Sequence, residues 1–241
     1  MSDRLAPYEV APGVLRNKLG VTDPDKLAEA ERYAAGQRVF ELELGTADVT
    51  LPAKFSFERL QATHRYILQD VYSWAGDMRT SETGAMGQTH CRPEFLPEQT
   101  RHTFRQIQRN LPSSTDRDAA VDQVAKHWGE TTALHPFRDG NSRSQRSFFD
   151  QMLRESGWAV DWRRVDANAV HAARHVAMAT VDSRYLADLL RPATMCSDEL
   201  APGAFSETTG SRDARSSQEL FRSMMEHKSA GTAEVWVPPA R

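Results

Sequence analysis

The chain has 241 residues, 39% of them hydrophobic, and carries a net charge of −3 with a pI near 6.2. That length fits one substantial domain with a smaller addition, and the charge argues against a nucleic-acid or membrane-binding surface over the whole protein. No run approaches the roughly 18 apolar residues that cross a bilayer, and the first residues do not resemble a secretory signal. Cys91 and Cys196 are too few for a disulfide framework, so we expect a reducing cytoplasm.

Helical patterns dominate the first 192 residues. Helix formers run from Asp25 to Leu44, and Ser56 is a plausible N-cap for a second helix that ends before Gly76. Residues 80–92 hold glycines and hydroxyls with few large apolar side chains, which predicts a loop or short hairpin. Further helices are predicted over 98–110, 116–134, about 142–156, 168–178 and 182–190.

The composition changes after Pro192. Residues 193–241 are rich in Ser, Gly, Pro and Thr with scattered charge, which predicts a flexible tail with one short helix over Ser216–Lys228. The tail is not basic, so we expect no direct binding of nucleic acid. The chain is therefore predicted to be one domain over 1–192 followed by this tail.

The segment H-P-F-R-D-G-N-S-R-S-Q-R at 135–146 concentrates functional side chains. One predicted helix ends near His135 and another begins at about Ser142. The start of a helix presents unpaired N–H groups and a partial positive charge, and therefore binds phosphate. Gly140 lets the backbone approach a phosphate closely, and Asn141 can fix the loop or donate to an oxygen.

The charged residues of this segment suit a nucleoside triphosphate. Arg143 and Arg146 lie three positions apart, so both guanidinium groups are expected to project to one place and clamp a polyphosphate. Asp139 becomes useful when Mg²⁺ separates it from the phosphates, because Mg²⁺ prefers one or two carboxylates plus phosphate oxygens. His135, near a positive helix terminus, is expected to be neutral and able to take a proton from an attacking hydroxyl.

Residues 135–146 closely resemble the Fic family signature, H-P-F-x-[D/E]-G-N-[G/K]-R-x-x-R, at every defined position except Ser142. Residues 64–80 are similar to the family's helix and W-A-G-[D/E]-x-R-T segment, and residues 14–27 to the lead-in of bacterial toxin-type members. The resemblance covers roughly 8–190. It implies an all-α Fic fold, a helical bundle around the motif loop and helix with a small β-hairpin flap at about 80–92.

The resemblance also implies an activity. Fic proteins mostly transfer AMP from Mg²⁺-ATP to a Ser, Thr or Tyr hydroxyl of a target protein, releasing pyrophosphate. His135 resembles the general base, Asp139 the Mg²⁺ ligand, and the 80–92 flap the element that docks the target by strand-like pairing. The nucleotide-binding positions that correspond are Gly140, Asn141, Ser142, Arg143 and Arg146.

Ser142 departs from the family pattern. Most members have glycine there, whereas Doc-like members, which transfer phosphate, have lysine. A serine can crowd the phosphate, donate to it or cap the helix. Arg146 and the Gly140-Asn141 pair favour AMP transfer; a Doc-like protein phosphotransferase and a nucleotide-binding module with little turnover remain the alternatives.

Regulation is expected to come from outside the chain. Many members restrain themselves with [S/T]-x-x-x-E-[G/N], yet in this sequence no Ser or Thr has Glu four residues later. The resemblance then implies a separate small antitoxin whose Glu pairs with Arg146, or a secreted effector that needs no such restraint. The compartment it implies is the bacterial cytoplasm, with secretion as an effector as the alternative. By analogy with toxin-type relatives, type II topoisomerase subunits are the first candidate targets. His171 and His175 are spaced for a metal but lack a third ligand, which favours a packing role.

Overall fold

The computed structural model describes residues 8–200, 213–231 and 235–238, and these form a helical bundle. Its helices are α1 (Pro24–Leu44), α2 (Phe57–Leu68), α3 (Leu96–Arg109), α4 (Arg117–Leu134), α5 (Asn141–Glu155), α6 (Ala167–Thr180), α7 (Arg184–Leu190) and α8 (Ala214–Ser229). Three antiparallel two-stranded pairs accompany them: β1 (Glu9–Ala11) with β2 (Val14–Leu15), β3 (Gly84–Ala85) with β4 (Gln88–Thr89), and β5 (Trp158–Val160) with β6 (Thr194–Cys196). The predicted all-α class with a small hairpin is confirmed.

Local chemistry sets several helix starts. The Asp23 carboxylate accepts from the Asp25 and Lys26 N–H groups at 3.0 Å ahead of α1, and Asp116 does the same for α4. Such caps satisfy N–H groups that the helix cannot pair internally and are worth about 1 kcal/mol each. None of the described helices is long and apolar enough to cross a membrane.

The main core surrounds α4, which packs against α3, α5, α6 and α7. Trp128 of α4 and Phe148, Phe149 and Met152 of α5 are almost fully buried in it. A Cβ at Gly129 would lie 2.6 Å from Ala177 Cβ, so this glycine permits the close approach of α4 and α6. A second core joins β1, β2, α1 and α2. Helix α5 contacts both α1 and α2, so its N-terminal motif lies where the two cores meet.

The second helix is shorter than predicted. It ends at Leu68, and turns follow in which the Val71 and Tyr72 N–H groups donate to the Leu68 carbonyl at 3.1 and 2.9 Å. Val71, Tyr72 and Trp74 are nonetheless buried in the α1–α2 core. These residues are therefore buried without continuing the helix.

Where the structure describes the segment from 193 onward, which was predicted as a flexible tail with one short helix, that segment packs on the rest of the domain. Strand β6 pairs with β5, and α8, predicted as Ser216–Lys228, packs on α6. Phe221 and Met224, three residues apart, bury one face of α8, and Ser217 Oγ donates to Asn168 Oδ1 at 2.9 Å. The apolar face was obscured by its polar surroundings in the sequence. The rest of this segment, 201–212, 232–234 and 239–241, lies outside the described residues.

Candidate active site

A cleft of about 150 Å³ opens at the N-terminus of α5. The motif loop and the first turn of α5 form one side, the β3–β4 hairpin another, and α6 contributes a histidine. The lining residues are Gly84, Ala85, His90, His135, Asp139, Gly140, Asn141, Ser142, Arg143 and His171. Six of the seven sequence-predicted site residues therefore meet at one cleft; Arg146 is not among its lining residues.

The motif loop is held from beneath by buried side chains. Phe137 is fully buried and stacks on His64, with ring centroids 3.8 Å apart. The Asn141 amide bridges the loop, accepting from the Phe137 N–H at 3.0 Å and donating to its carbonyl at 2.8 Å. His64 Nδ1 accepts from the Gly76 N–H, so Nε2 carries the proton and donates to the Asp139 carbonyl at 2.8 Å. Burial lowers the pKa of His64 to about 4, which keeps this link neutral.

Gly140 is required at the turn into α5. Its φ is +74°, and a Cβ there would lie 2.4 Å from Leu68 Cδ1 and 3.1 Å from His64 Nε2. Any other residue would be strained and would press against the buried Leu68 side chain and the His64 ring. A glycine N-cap also offers no side-chain acceptor to the first N–H groups of α5, so an anion in the cleft can satisfy them.

His135 ends α4 in a left-handed conformation with φ +44°. Its ring stacks on His90 with centroids 3.8 Å apart and planes within 3°. Its Nδ1 has no hydrogen-bond partner among the described residues. Burial, followed by the charges of His90, Arg174, His175 and Arg79, holds the pKa of His135 well below its usual range. The imidazole is therefore neutral near pH 7 and able to accept a proton.

Arg79 ties the hairpin to the motif loop. This buried side chain donates to the carbonyls of His135 and Ser81 at 2.7 Å each, and also to those of Leu134 and Cys91. Its own N–H donates to the Pro136 carbonyl at 2.8 Å. A guanidinium offers five donors in a rigid fork and can hold several carbonyls at once. Arg79 thus fixes the backbone on both sides of His135.

The hairpin over the cleft is the β3–β4 pair, in register Gly84↔Thr89 and Ala85↔Gln88. Met86 and Gly87 connect the strands with φ +55° and +72°, as in the two-residue turns that match strand twist. The hairpin predicted at 80–92 is present, and its first strand, Gly84–Ala85, borders the cleft.

The two motif arginines diverge, contrary to the expected common clamp. Arg143 points to the cleft side, where it pairs with Glu31 and lies 3.8 Å from Asp139. Arg146 instead pairs with Glu43 at 3.3 Å and lies 5.4 Å from the Trp162 ring centroid. Both glutamates belong to α1 but are twelve residues apart, about 18 Å along a helix. Helical spacing alone did not predict these partners.

Asp139 is the acidic residue that faces the cleft. Its side chain is half exposed, and it accepts a hydrogen bond from the Gly140 N–H. Among the described residues no group of three His, Cys, Asp or Glu side chains could hold a metal. A single accessible carboxylate fits Mg²⁺ that arrives with phosphates, because Mg²⁺ takes few protein ligands and completes its shell with phosphate oxygens and water.

Ser142 has a partner that the sequence did not suggest. The buried guanidinium of Arg174, on α6, donates to Ser142 Oγ at 2.5 Å. It also donates to Gln145 Oε1 at 3.0 Å and to His171 Nδ1 at 2.9 Å. The departure from the signature at 142 therefore coincides with a third arginine at the start of α5. No sequence motif identifies Arg174, which lies within α6.

The remaining histidine and cysteine side chains of this region are His175 and Cys91. His175 is fully buried, and its Nδ1 donates to the His171 carbonyl at 2.7 Å. Cys91 is a free thiol whose pKa is raised by burial, so its thiolate is disfavoured at neutral pH. His90, which no sequence motif marks, is the side chain that stacks on the His135 ring.

Comparison with known proteins gives a consistent result. The model of the Fic/DOC family matches residues 54–153. Protein adenylyltransferase VbhT of Bartonella schoenbuchensis is 32% identical over 166 residues, which are 66% of this chain and 33% of that protein. A probable protein adenylyltransferase, y4lH, of Sinorhizobium fredii is 30% identical over 156 residues, 64% of this chain and 77% of that protein. The chain thus matches about a third of the length of VbhT but most of y4lH.

Solved structures share the fold. The N-terminal Fic domain of a putative cell filamentation protein from Bartonella quintana, with bound ADP, superposes with a TM-score of 0.66 at 21% identity and covers 77% of this chain and 92% of that one. BepC from Bartonella tribocorum, with bound AMPPNP, superposes with a TM-score of 0.64 at 20% identity and covers 76% of this chain and 93% of that one. At these identities the likeness establishes the architecture of the domain.

Proposed function

This chain belongs to the Fic/DOC family, and we propose that it is a protein adenylyltransferase that transfers AMP from Mg²⁺-ATP to a hydroxyl of a target protein, releasing pyrophosphate. The observation that carries the proposal is the position of a neutral His135 imidazole at a cleft formed by the N-terminus of α5. A base and an anion site side by side are what phosphoryl and nucleotidyl transfer require.

His135 accepts the proton of the target hydroxyl in this proposal. The hydroxyl oxygen attacks the α-phosphorus, the bond from that phosphorus to the bridging oxygen breaks, and pyrophosphate leaves with the electron pair. A neutral imidazole is needed at the start of this step, and burial beside His90 and Arg174 favours that state. Arg79, through the carbonyls of His135 and Leu134, keeps the base in position.

The N–H groups of Gly140, Asn141 and Ser142 and the side chain of Arg143 bind the phosphates in this proposal. This assignment is supported by the position of the cleft at the start of α5, where no side chain caps the helix. In this proposal Arg146 contacts a distal phosphate in competition with Glu43, and Asp139 would hold the Mg²⁺ that accompanies ATP.

The target segment docks beside the hairpin in this proposal. Strand β3 borders the cleft, and pairing of an extended peptide with its main chain would carry a Ser, Thr or Tyr hydroxyl toward His135. By analogy with toxin-type relatives, type II topoisomerase subunits are the first candidate targets. The proposed compartment is the bacterial cytoplasm, which supplies ATP and Mg²⁺.

Regulation by a separate small antitoxin is part of the same proposal, in a changed form. The expected partner supplies a glutamate to Arg146, but Glu43 of this chain already pairs with that arginine. An external glutamate therefore competes with Glu43 for this guanidinium. The toxin role depends on that competition.

The test is intact-mass spectrometry of candidate targets after incubation with the protein, ATP and Mg²⁺. We expect an adduct of one AMP that is absent with His135→Ala. An adduct of phosphate alone would favour the second candidate, a Doc-like phosphotransferase; Arg174 brings a cation to position 142, where such members carry lysine. ATP binding without any adduct, on targets that a Ser142→Gly variant does modify, would indicate a module with little turnover.

A further inference from the structure

We propose that His90 is a positioning residue for the transfer reaction, and that its ring holds the His135 imidazole with Nε2 turned to the cleft. His90 lies just after strand β4, so it is carried by the hairpin beside which the target docks. The inference rests on the proposed role of His135 as the base. It adds the side chain that orients this base, which the signature at 135–146 does not contain.

The first argument is that no hydrogen bond orients the base. A general-base histidine is ordinarily fixed by a partner on its second ring nitrogen, which also sets the tautomer. In His135 that nitrogen is Nδ1, which is buried and has no hydrogen-bond partner among the described residues. The orientation of the ring therefore depends on the groups packed against it. Because Nδ1 is buried, Nε2 is the nitrogen left to receive the proton of a hydroxyl at the cleft.

The second argument is the contact between the two rings. His90 stacks on His135 with ring centroids 3.8 Å apart and an angle of 3° between the planes. Both residues line the cleft, and only 4% of His90 is exposed. A parallel ring in van der Waals contact restricts rotation about the Cβ–Cγ bond, which is otherwise a soft torsion for histidine. The His90 ring thus has the orienting role that a hydrogen bond has for other histidine bases.

The third argument is the way His90 is itself held. A hydrogen bond of 3.0 Å joins its Nδ1 to Thr83 Oγ1, and its N–H donates to the Thr83 carbonyl at 3.0 Å. The next N–H along the chain, that of Cys91, donates to the Ala133 carbonyl at 2.8 Å near the end of α4. His90 is therefore fixed both to the hairpin and to the helix that ends at His135. A movement of the hairpin on docking is transmitted to the base through this ring.

His90 also gives the base a dry and neutral neighbour. Burial, with the charges of Arg79 and Arg174, lowers the pKa of His90 to about 4, so its ring carries no charge near neutral pH. Burial is also the main cause that lowers the pKa of His135, followed by the charges of His90, Arg174, His175 and Arg79. Removing the His90 ring would admit water to one face of His135 and move the pKa of His135 toward its ordinary value. A residue that only docks the target would not change this titration.

The experiment follows the imidazole titration of His135 by NMR in the nucleotide-free protein, for the wild type, His90→Ala, His90→Phe and Thr83→Val. We expect the midpoint to move to higher pH in His90→Ala and to move less in Thr83→Val. His90→Phe keeps a flat ring against His135, so its midpoint should stay close to that of the wild type. The matched control is Thr89→Val, the same change at an exposed side chain of β4, which should leave the titration unchanged.

Transfer kinetics on a modified target give the second readout. We expect kcat to fall about tenfold in His90→Ala, because a base that rotates freely is aligned with the hydroxyl for less of the time. KM for Mg²⁺-ATP should be unchanged, and His90→Phe should recover most of kcat. An effect confined to KM for the target would show that His90 serves docking alone, which would overturn the proposal.

The titration is separable from failure of the proposed function, because it needs neither nucleotide nor target. A wild-type midpoint in His90→Ala would overturn the proposal. If His90→Ala does not fold, Thr83→Val decides, since a wild-type midpoint in that variant would contradict the link from the hairpin to the base. If the wild type modifies no target, the transfer proposal falls, and the NMR series still decides whether His90 orients His135.

Discussion

The carboxylate of Glu43 lies 3.3 Å from the guanidinium of Arg146, and only 4% of the Glu43 side chain is exposed. The pair joins the last turn of α1 to the second arginine of the signature. It gives Arg146 an acidic partner from within the chain, at a position that belongs to no recognised inhibitory pattern.

Replacing Glu43 should therefore release Arg146 for the nucleotide. We expect Glu43→Gln to raise Mg²⁺-ATP affinity severalfold, because the bound anion no longer competes with a carboxylate for the guanidinium. The matched control is Glu41→Gln, which removes a neighbouring carboxylate that pairs with Arg38 on the surface and should leave affinity unchanged. Calorimetry on the two variants checks this; equal affinities in wild type and Glu43→Gln would contradict it.

Glu43 should also make stability depend on pH. Burial raises its pKa to about 7 in the folded protein, above the ordinary value of 4.5. The folded state then binds more protons than the unfolded state between these values, so the contribution of this group is fully present below pH 4.5 and is lost as pH rises through 7. Between pH 5 and 8 the wild type should lose about 2 kcal/mol relative to Glu43→Gln. Urea unfolding at both values measures it, and a constant difference would show that Glu43 does not titrate there.

Gly140 should be the most sensitive glycine among those that the structure describes. Gly13 has the same φ of +74° but open space where a Cβ would lie, whereas a Cβ at 140 would lie 2.4 Å from Leu68. We expect Gly13→Ala to cost about 1 kcal/mol from backbone conformation alone. Gly140→Ala should cost several kcal/mol and weaken ATP binding, because the added Cβ is strained at this φ and collides with the buried Leu68 side chain beneath the motif loop. Comparable losses in the two variants would mean that the contact with Leu68 relaxes easily.

The sequence located most of the site because its residues are nearly contiguous. His135, Asp139, Gly140 and Arg143 lie within nine positions around one helix start, so local geometry brings them together whatever the rest of the chain does. The all-α fold was predictable for a related reason, since long helices with apolar faces give a strong periodic signal. Two relatives, VbhT and y4lH, are named as a protein adenylyltransferase and a probable one, in agreement with the predicted enzyme class.

What escaped prediction depends on contacts distant in sequence. Arg174 meets Ser142 from 32 positions away, and Glu43 meets Arg146 from 103. The spacing of Arg143 and Arg146 within α5 suggested that they act together. Instead, each forms an ion pair with a different glutamate of α1. In the same way, the apolar face of α8 is buried because α8 packs on α6, which is distant in sequence.

The measurement that tests the account most directly is AMP transfer and ATP affinity of His135→Ala, in parallel with the wild type and on one target. We expect AMP transfer by His135→Ala to fall by at least about a hundredfold, which is the contribution of a general base. Affinity should stay within a factor of about three, below the ~1 kcal/mol of an ordinary hydrogen bond, because the N-terminus of α5 and Arg143 remain. AMP transfer at the wild-type rate by His135→Ala would contradict it.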